Sequence, residues 1–171
     1  MFNRGFLLAG FAVCAALAGS AAAQSADLPV WVTGVDGATR MLEAPDIAAL
    51  PRVSVPLTIH GETHVFEGPL LIDVLKVTGV ETGPALRGPA LAQAVVVRAA
   101  DGYTVVFGLA ELDPGVRTNR IILADTVDGA PLTAEDGPFR LVAEGDVRPA
   151  RSVRQVSAFQ IVRFPVPPAH P

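Results

Sequence analysis

The sequence predicts an α+β fold in which strands dominate. Short runs of alternating apolar and polar residues recur along the chain, rich in Val, Ile, Thr and Phe. They are divided by four Asp-Gly pairs, at Asp36-Gly37, Asp101-Gly102, Asp128-Gly129 and Asp136-Gly137. Between apolar runs such a pair predicts a type I′ hairpin turn, because that turn needs positive φ. Only one stretch has convincing helical spacing.

In order, "PVWVTGV" (29–35) opens the domain as a strand, with Trp31 expected in the core. "RVSVPLTIH" (52–60) and "THVFEG" (63–68) alternate about a tight turn at His60-Gly61-Glu62. "GPLLIDVLKVTGV" (68–80) is the helix: Pro69 stands at a first-turn position, Leu71, Val74 and Leu75 share a face, and Gly79 is the stop. "AVVVRAADGYTVVFGL" (94–109) reads as strand, turn and strand, and Tyr103 after Asp-Gly can simply pack across that hairpin. "LAELDPG" (109–115) predicts a second, shorter helix. "RIILADTV" (120–127), "FRLVAEG" (139–145) and "RQVSAFQIVRF" (154–164) predict the remaining strands.

The ends differ from the middle. Residues 1–23 carry Arg4, an apolar run and the small-residue sequence Ala21-Ala22-Ala23, the pattern of a secretory signal cut before Gln24. An uncleaved anchor is the alternative. Residues 24–163 are then one domain, and residues 164–171, "FPVPPAHP", a proline-rich tail. Cleavage would remove one arginine and move the formal charge from −4 to −5. Nucleic acid is thereby disfavoured as a partner, as is an anionic membrane, and no insertion into a membrane is expected after the signal is removed. The one cysteine, Cys14, lies in the signal. The rest of the chain therefore offers no disulfide, no thiolate metal ligand and no thiol nucleophile.

Positive charge is carried almost wholly by arginine; Lys76 is the single lysine. Four arginines, Arg140, Arg148, Arg151 and Arg154, fall within residues 136–156. The last three recur every third residue between Gly and Pro, which a loop or a single 3₁₀ turn would place on one side. Such a loop can form an anion-binding concavity. The competing expectation is that each arginine pairs with a nearby acid such as Glu135, Glu144 or Asp146, a surface ion pair contributing about 0.2–1 kcal/mol. His60, Glu62 and His64 form His-x-Glu-x-His, too few ligands for a persuasive metal site and better read as polar turn residues.

"ILADTVDGAPLTAEDGPFRLV" (122–142) followed by "PARSVRQVSAFQIV" (149–162) resembles the C-terminal half of the sulfite-oxidase-type molybdopterin-binding domain. "ADGYTVVFGLAEL" (100–112) resembles that family's Asp-Gly-Tyr hairpin and acidic short helix, and "FEGPLLIDVLKVTGV" (66–80) its aromatic-x-Gly helix. The resemblance spans roughly residues 50–163, in the family's order. It implies a strand-rich sulfite-oxidase-type fold whose 150–154 loop lies against a cofactor. Arg151 and Arg154 match the family's basic positions, and Ser152 and Val153 would offer backbone groups. Asp101 and Tyr103 match the hairpin bordering the pocket. Asp146 and Arg148 match an acid-x-basic pair of the short exported members.

The implied ligand is a pterin, of the tetrahydropterin type or molybdopterin. Its paired N–H edge suits a carboxylate, Asp146 before Asp101, and its flat ring suits Tyr103 or a guanidinium plane. The family's enzymes bind molybdenum through a cysteine between the strand preceding the helix and the aromatic-x-Gly. Here that interval, "PLTIHGETHVFEG" (56–68), has none, and no molybdenum is expected. The likeness is to a cysteine-less exported branch. Some of its members are periplasmic pterin-binding proteins that report to the periplasmic domain of an inner-membrane enzyme making or breaking cyclic di-GMP. Two alternatives stand beside this: a molybdopterin-dependent oxidoreductase with an oxygen in place of the thiolate, and a ligand-free interaction protein.

Overall fold

The structure is a computed structural model and describes residues 28–165. The expected signal and Cys14 lie outside the described residues, as does the tail beyond Pro165. No helix among the described residues is long and apolar enough to cross a membrane.

Strands dominate, as the alternation predicts. β1 (Val30–Thr33), β2 (Thr39–Leu42), β5 (Gln93–Ala99), β6 (Thr104–Gly108) and β11 (Val156–Arg163) form one sheet in the order β2-β1-β11-β5-β6. Its β1–β11 pair is parallel and the other pairs are antiparallel. A second sheet joins β3 (Arg52–Ile59), β4 (Glu62–Pro69), β8 (Thr126–Val127) and β9 (Ala130–Pro131). β7 (Ile121–Ala124) and β10 (Arg140–Ala143) pair as a separate ribbon.

That ribbon is the middle of the molecule, and every one of its eight residues is buried. Ile121, Leu123, Leu141 and Ala143 face the larger core, with Val95, Val97, Phe107 and Phe159 of the five-stranded sheet and Leu71, Val74 and Leu75. Ile122, Ala124 and Val142 face a smaller core with Val55, Leu57 and Phe66. A strand buried on both faces reads as a continuous apolar run. Each Leu, Ile or Phe so buried contributes roughly 1.5–3 kcal/mol.

Gly68 lets β4 pass against β7. A Cβ there would overlap Leu123 O and stand 2.7 Å from Ala124 Cα, so only glycine fits. The aromatic-x-Gly pattern at Phe66–Gly68 thus marks an approach of two backbones.

Several elements depart from expectation. The helix α2 (Leu71–Leu75) starts two residues after Pro69, which ends β4, and runs as a 3₁₀ turn to Gly79 at φ 75°. Another short helix, α1 (Ala44–Ala48), and β2 carry too little periodicity to be read from sequence. The second, shorter helix is a 3₁₀ helix confined to residues 109–112. Trp31 is not core: Val30 and Val32 point inward and Trp31 outward, 47% exposed.

Of the Asp-Gly pairs, only Asp128-Gly129 has both φ angles positive, at 50° and 79°. At Asp36-Gly37 and Asp101-Gly102 only the glycine is positive, and the aspartate instead accepts the N–H two residues on, from Ala38 and Tyr103. Those two loops are Asx turns closed by a left-handed glycine. Gly137 has no positive φ.

Candidate functional site

The Asp101-Gly102 turn and the segment 149–154 face each other across a concavity of about 230 Å³. Local chemistry shapes both walls. Asp101 Oδ1 accepts the Tyr103 N–H at 2.8 Å, while Ala99 N–H donates to Tyr103 O and Gly102 N–H to Ala99 O. Opposite, a 3₁₀ turn (Pro149–Arg151) starts on a proline, whose fixed φ suits a first helical position. Ser152 N–H donates to Pro149 O, Leu141 N–H donates to Val153 O at 2.7 Å, and Ser152 Oγ accepts the Ala143 N–H at 3.2 Å. The segment is stitched to β10, with Ser152 and Val153 buried. Tyr103 bridges the two walls by donating its hydroxyl hydrogen to Ala150 O at 2.8 Å.

Asp101, Tyr103, Ser152, Val153 and Arg154 line this one hollow, together with Ala99, Pro149 and Ala150. Asp146, Arg148 and Arg151 are not among its lining residues. Arg151 turns away, holding Asp146 through two hydrogen bonds and Glu111 through a third at 3.2 Å, its guanidinium 4.6 Å from the centre of the Phe107 ring. Its pKa is raised above the ordinary arginine value, chiefly by the hydrogen bond to Asp146 against a smaller cost of burial. Glu111 also meets Arg117 at 3.3 Å.

The arginines therefore diverge instead of sharing one side. Arg154 is 54% exposed, donates to Glu135 at 2.6 Å, has Nε 3.9 Å from Asp136 Oδ1, and lines the hollow. Arg140 lies under β4, 8% exposed, bonded to Asp136 at 2.8 Å and 5.1 Å from the Phe66 ring centre. Burial lowers its pKa, opposed by Asp136, and its Nε has no partner among the described residues. Arg148 is exposed and makes no ion pair among the described residues. Glu144, named from sequence as an acid for this cluster, is held by Arg120 at 2.6 and 2.9 Å.

Sequence reading missed Phe107 and Glu111 as the seat of Arg151. The signal for Glu111 was the acid of the short 109–112 turn. Ala99 and Ala150 also line the hollow, and their methyl side chains gave nothing to read. At the other hairpin, His60 and Gly61 make a two-residue turn with φ of 52° and 90°. His64 Nδ1 lies 2.8 Å from Asp128 Oδ2. Thr58 and Thr63 share a hydrogen bond across that hairpin. No group of three or more His, Cys, Asp or Glu among the described residues is placed to hold a metal ion.

Asp101 keeps Oδ2 without a partner among the described residues, Tyr103 is half-exposed, and both border the hollow together with the ion-paired Arg154. The volume falls below the roughly 300–1,000 Å³ that encloses a drug-sized ligand, so the hollow suits only a small one.

No protein-family model and no curated protein matches the chain. Among solved structures, the sulfane dehydrogenase SoxCD from Paracoccus pantotrophus is similar, with a TM-score of 0.60 and 17% identity. The match covers 81% of this chain and 39% of that one, so the chain spans well under half the length of its neighbour. The likeness is one of fold. It supports a distant relationship of fold alone, compatible with the strand-rich α+β class expected from the sequence.

Proposed function

We propose that this protein is an exported, periplasmic binding module that holds a pterin between the Asp101–Tyr103 turn and the 149–154 segment, leaves it unaltered, and passes occupancy to a membrane signalling partner such as a cyclic-di-GMP enzyme. One observation carries the binding step: residues far apart in sequence supply a carboxylate, an aromatic face and a guanidinium to a single hollow. Asp101 takes the pterin's paired N–H edge, Tyr103 the ring face, and Arg154 an oxygen or a phosphate. Asp146, whose two oxygens already serve Arg151, supports the loop instead of the ligand. Absence of chemistry rests on the sequence, which has no thiol after Cys14 to hold molybdenum. Export rests on the signal-like residues 1–23, and the partner on the family resemblance alone.

The test is titration with a tetrahydropterin, followed by calorimetry. One saturable site per chain is expected, weakened about tenfold or more by Asp101→Asn and by Arg154→Ala, since a charge-assisted bond is worth about 1.5–3 kcal/mol. No saturable binding, together with an organic extract that stays non-fluorescent after oxidation of any reduced pterin, removes the proposal. Stoichiometric molybdenum in protein purified from its own periplasm would establish an oxidoreductase in its place.

A further inference from the structure

Gln155 joins the two walls of the hollow without lining it. The Ala100 N–H, one residue before Asp101, donates to Gln155 O at 2.9 Å. Gln155 N–H donates to Asp136 O at 2.9 Å, and its side-chain Nε2 donates to Ala134 O at 2.9 Å. The same 134–136 loop carries both acids that meet Arg154, Glu135 at 2.6 Å and Asp136 at 3.9 Å.

The backbone at Gln155 is left-handed, with φ of 48°. A side chain like that of glutamine seldom takes this conformation, which persists only where the surroundings impose it. The other two such residues among the described ones, His60 and Asp128, each precede a glycine of positive φ in a hairpin turn. Gln155 precedes Val156, the first residue of β11, and serves no hairpin. Its effect is on facing. Alternation along an extended chain would put Arg154 on the face of Val156. Val156 belongs to the larger core, and so does Val153. The left-handed residue breaks the alternation, so both valines are buried while Arg154 between them is exposed and lines the hollow. The strand expected from Arg154 onward therefore begins at Val156.

We propose that Gln155 is the positioning residue for Arg154: its left-handed backbone turns the guanidinium out of the core, and its bonds to Ala100, Ala134 and Asp136 hold that guanidinium at the hollow. As a role in binding this rests on the pterin reading; as a role in placing Arg154 it stands by itself. A charged group already held by its neighbours meets a ligand with less ordering left to do. The strain at Gln155 is thus the counterpart of a fixed cation beside Asp101 and Tyr103.

Two measurements on the full chain test it. In ¹⁵N–¹H spectra the Arg154 Nε–H signal is identified by its loss in Arg154→Ala. Gln155→Val, whose β-branched side chain resists positive φ, should displace that signal, and Gln155→Asn, which tolerates positive φ, should leave it near its parent position. In calorimetry, Gln155→Val should weaken tetrahydropterin binding at least about fivefold, since it misplaces a charge-assisted contact worth about tenfold or more. Gln155→Asn should recover most of that loss. In the Arg154→Ala background, with no guanidinium left to place, Gln155→Val should change affinity by less than about twofold. A merely structural role would weaken both backgrounds alike. Should Gln155→Val not fold, Gln155→Ala, which removes the amide bond to Ala134 O, is read in the same way, with smaller effects in the same direction. The proposal is overturned by an Arg154 signal that Gln155→Val and Gln155→Ala both leave in place, by one that Gln155→Asn displaces as far, or by equal losses in the two backgrounds. A parent that binds no tetrahydropterin removes the pterin reading and leaves the Arg154 signal to decide the positioning.

Discussion

The guanidinium of Arg151 meets both carboxylate oxygens of Asp146, Nε to Oδ2 at 2.9 Å and Nη2 to Oδ1 at 2.6 Å. This fork closes the five-residue step from Asp146 to Arg151 and so fixes the loop that forms one wall of the hollow. Two planar groups joined by parallel bonds are geometrically selective as well as attractive.

Asp146→Ala should act on stability before it acts on binding. Arg151 would keep Glu111 and Phe107 but lose its two best bonds. Because the guanidinium is about one-third exposed, the loss is discounted to about 1–2 kcal/mol. Urea denaturation should show a lower midpoint at unchanged slope. In a double-mutant cycle with Arg151→Ala the two losses should not add.

Tyr103 separates orientation from stacking. Tyr103→Phe keeps the ring and removes the hydrogen bond to Ala150 O, worth at most about 0.5–1.5 kcal/mol at this half-exposed position. Pterin affinity should fall by no more than about tenfold. Tyr103→Ala should lose more, since it removes the ring face as well. Equal affinities for the two variants in calorimetry would show that the ring does not touch the ligand.

Acid should weaken the Arg120–Glu144 pair in a defined window. The Arg120 guanidinium, with a smaller contribution from its backbone N–H, holds Glu144 below the ordinary value of 4.5 against the cost of burial. A lowered carboxylate pKa means that the folded state binds fewer protons than the unfolded state. The contribution is therefore complete above pH 4.5 and fades as pH falls through the lower folded value. Glu144→Gln should be about 1 kcal/mol less stable than the parent at pH 7. That gap should shrink steadily below pH 4.5 in urea titrations, and a constant gap would contradict it.

Much of the architecture was legible because burial writes simple patterns. Residues 121–124 are a continuous apolar run, as are residues 141–143 after Arg140, and both stretches belong to the doubly buried ribbon. The alternation at Val30, Trp31 and Val32 was read correctly as a strand and assigned to the wrong face, because hydrophobicity pulled Trp31 inward while its two valine neighbours decided the register. Helix α1 has only five residues and one buried side chain, Ile47, too little for any period to show. At the hollow, Asp101, Tyr103 and Arg154 were reached through the resemblance of their segments to the family's motifs and not through residue type or spacing, and all three line it. The destination of Arg151 was not, because its seat comes from Phe107 and Glu111, some forty residues earlier in the chain, and spacing within a loop says nothing about partners across the fold.

The contact between β4 and β7 gives the sharpest test of the fold. Gly68→Ala would press a methyl group into Leu123 O and Ala124 Cα, both backbone atoms of the ribbon that separates the two cores. Neither can rotate away, so β4 must shift and disturb Phe66 on one side and α2 on the other. Overpacking commonly costs about 1–3 kcal/mol, and a clash with backbone belongs at or above the upper end. Thermal unfolding by circular dichroism should show a melting temperature lowered by at least about 10 °C, given about 4 °C per kcal/mol for a domain of this size, or no folded protein at all. Gly108→Ala is the control. Its added Cβ would meet only the flexible Glu111 side chain, at 3.4 Å, and its φ of −62° suits any residue. It should therefore cost under about 1 kcal/mol. Equal effects from the two substitutions would mean that β4 and β7 do not approach as closely as described.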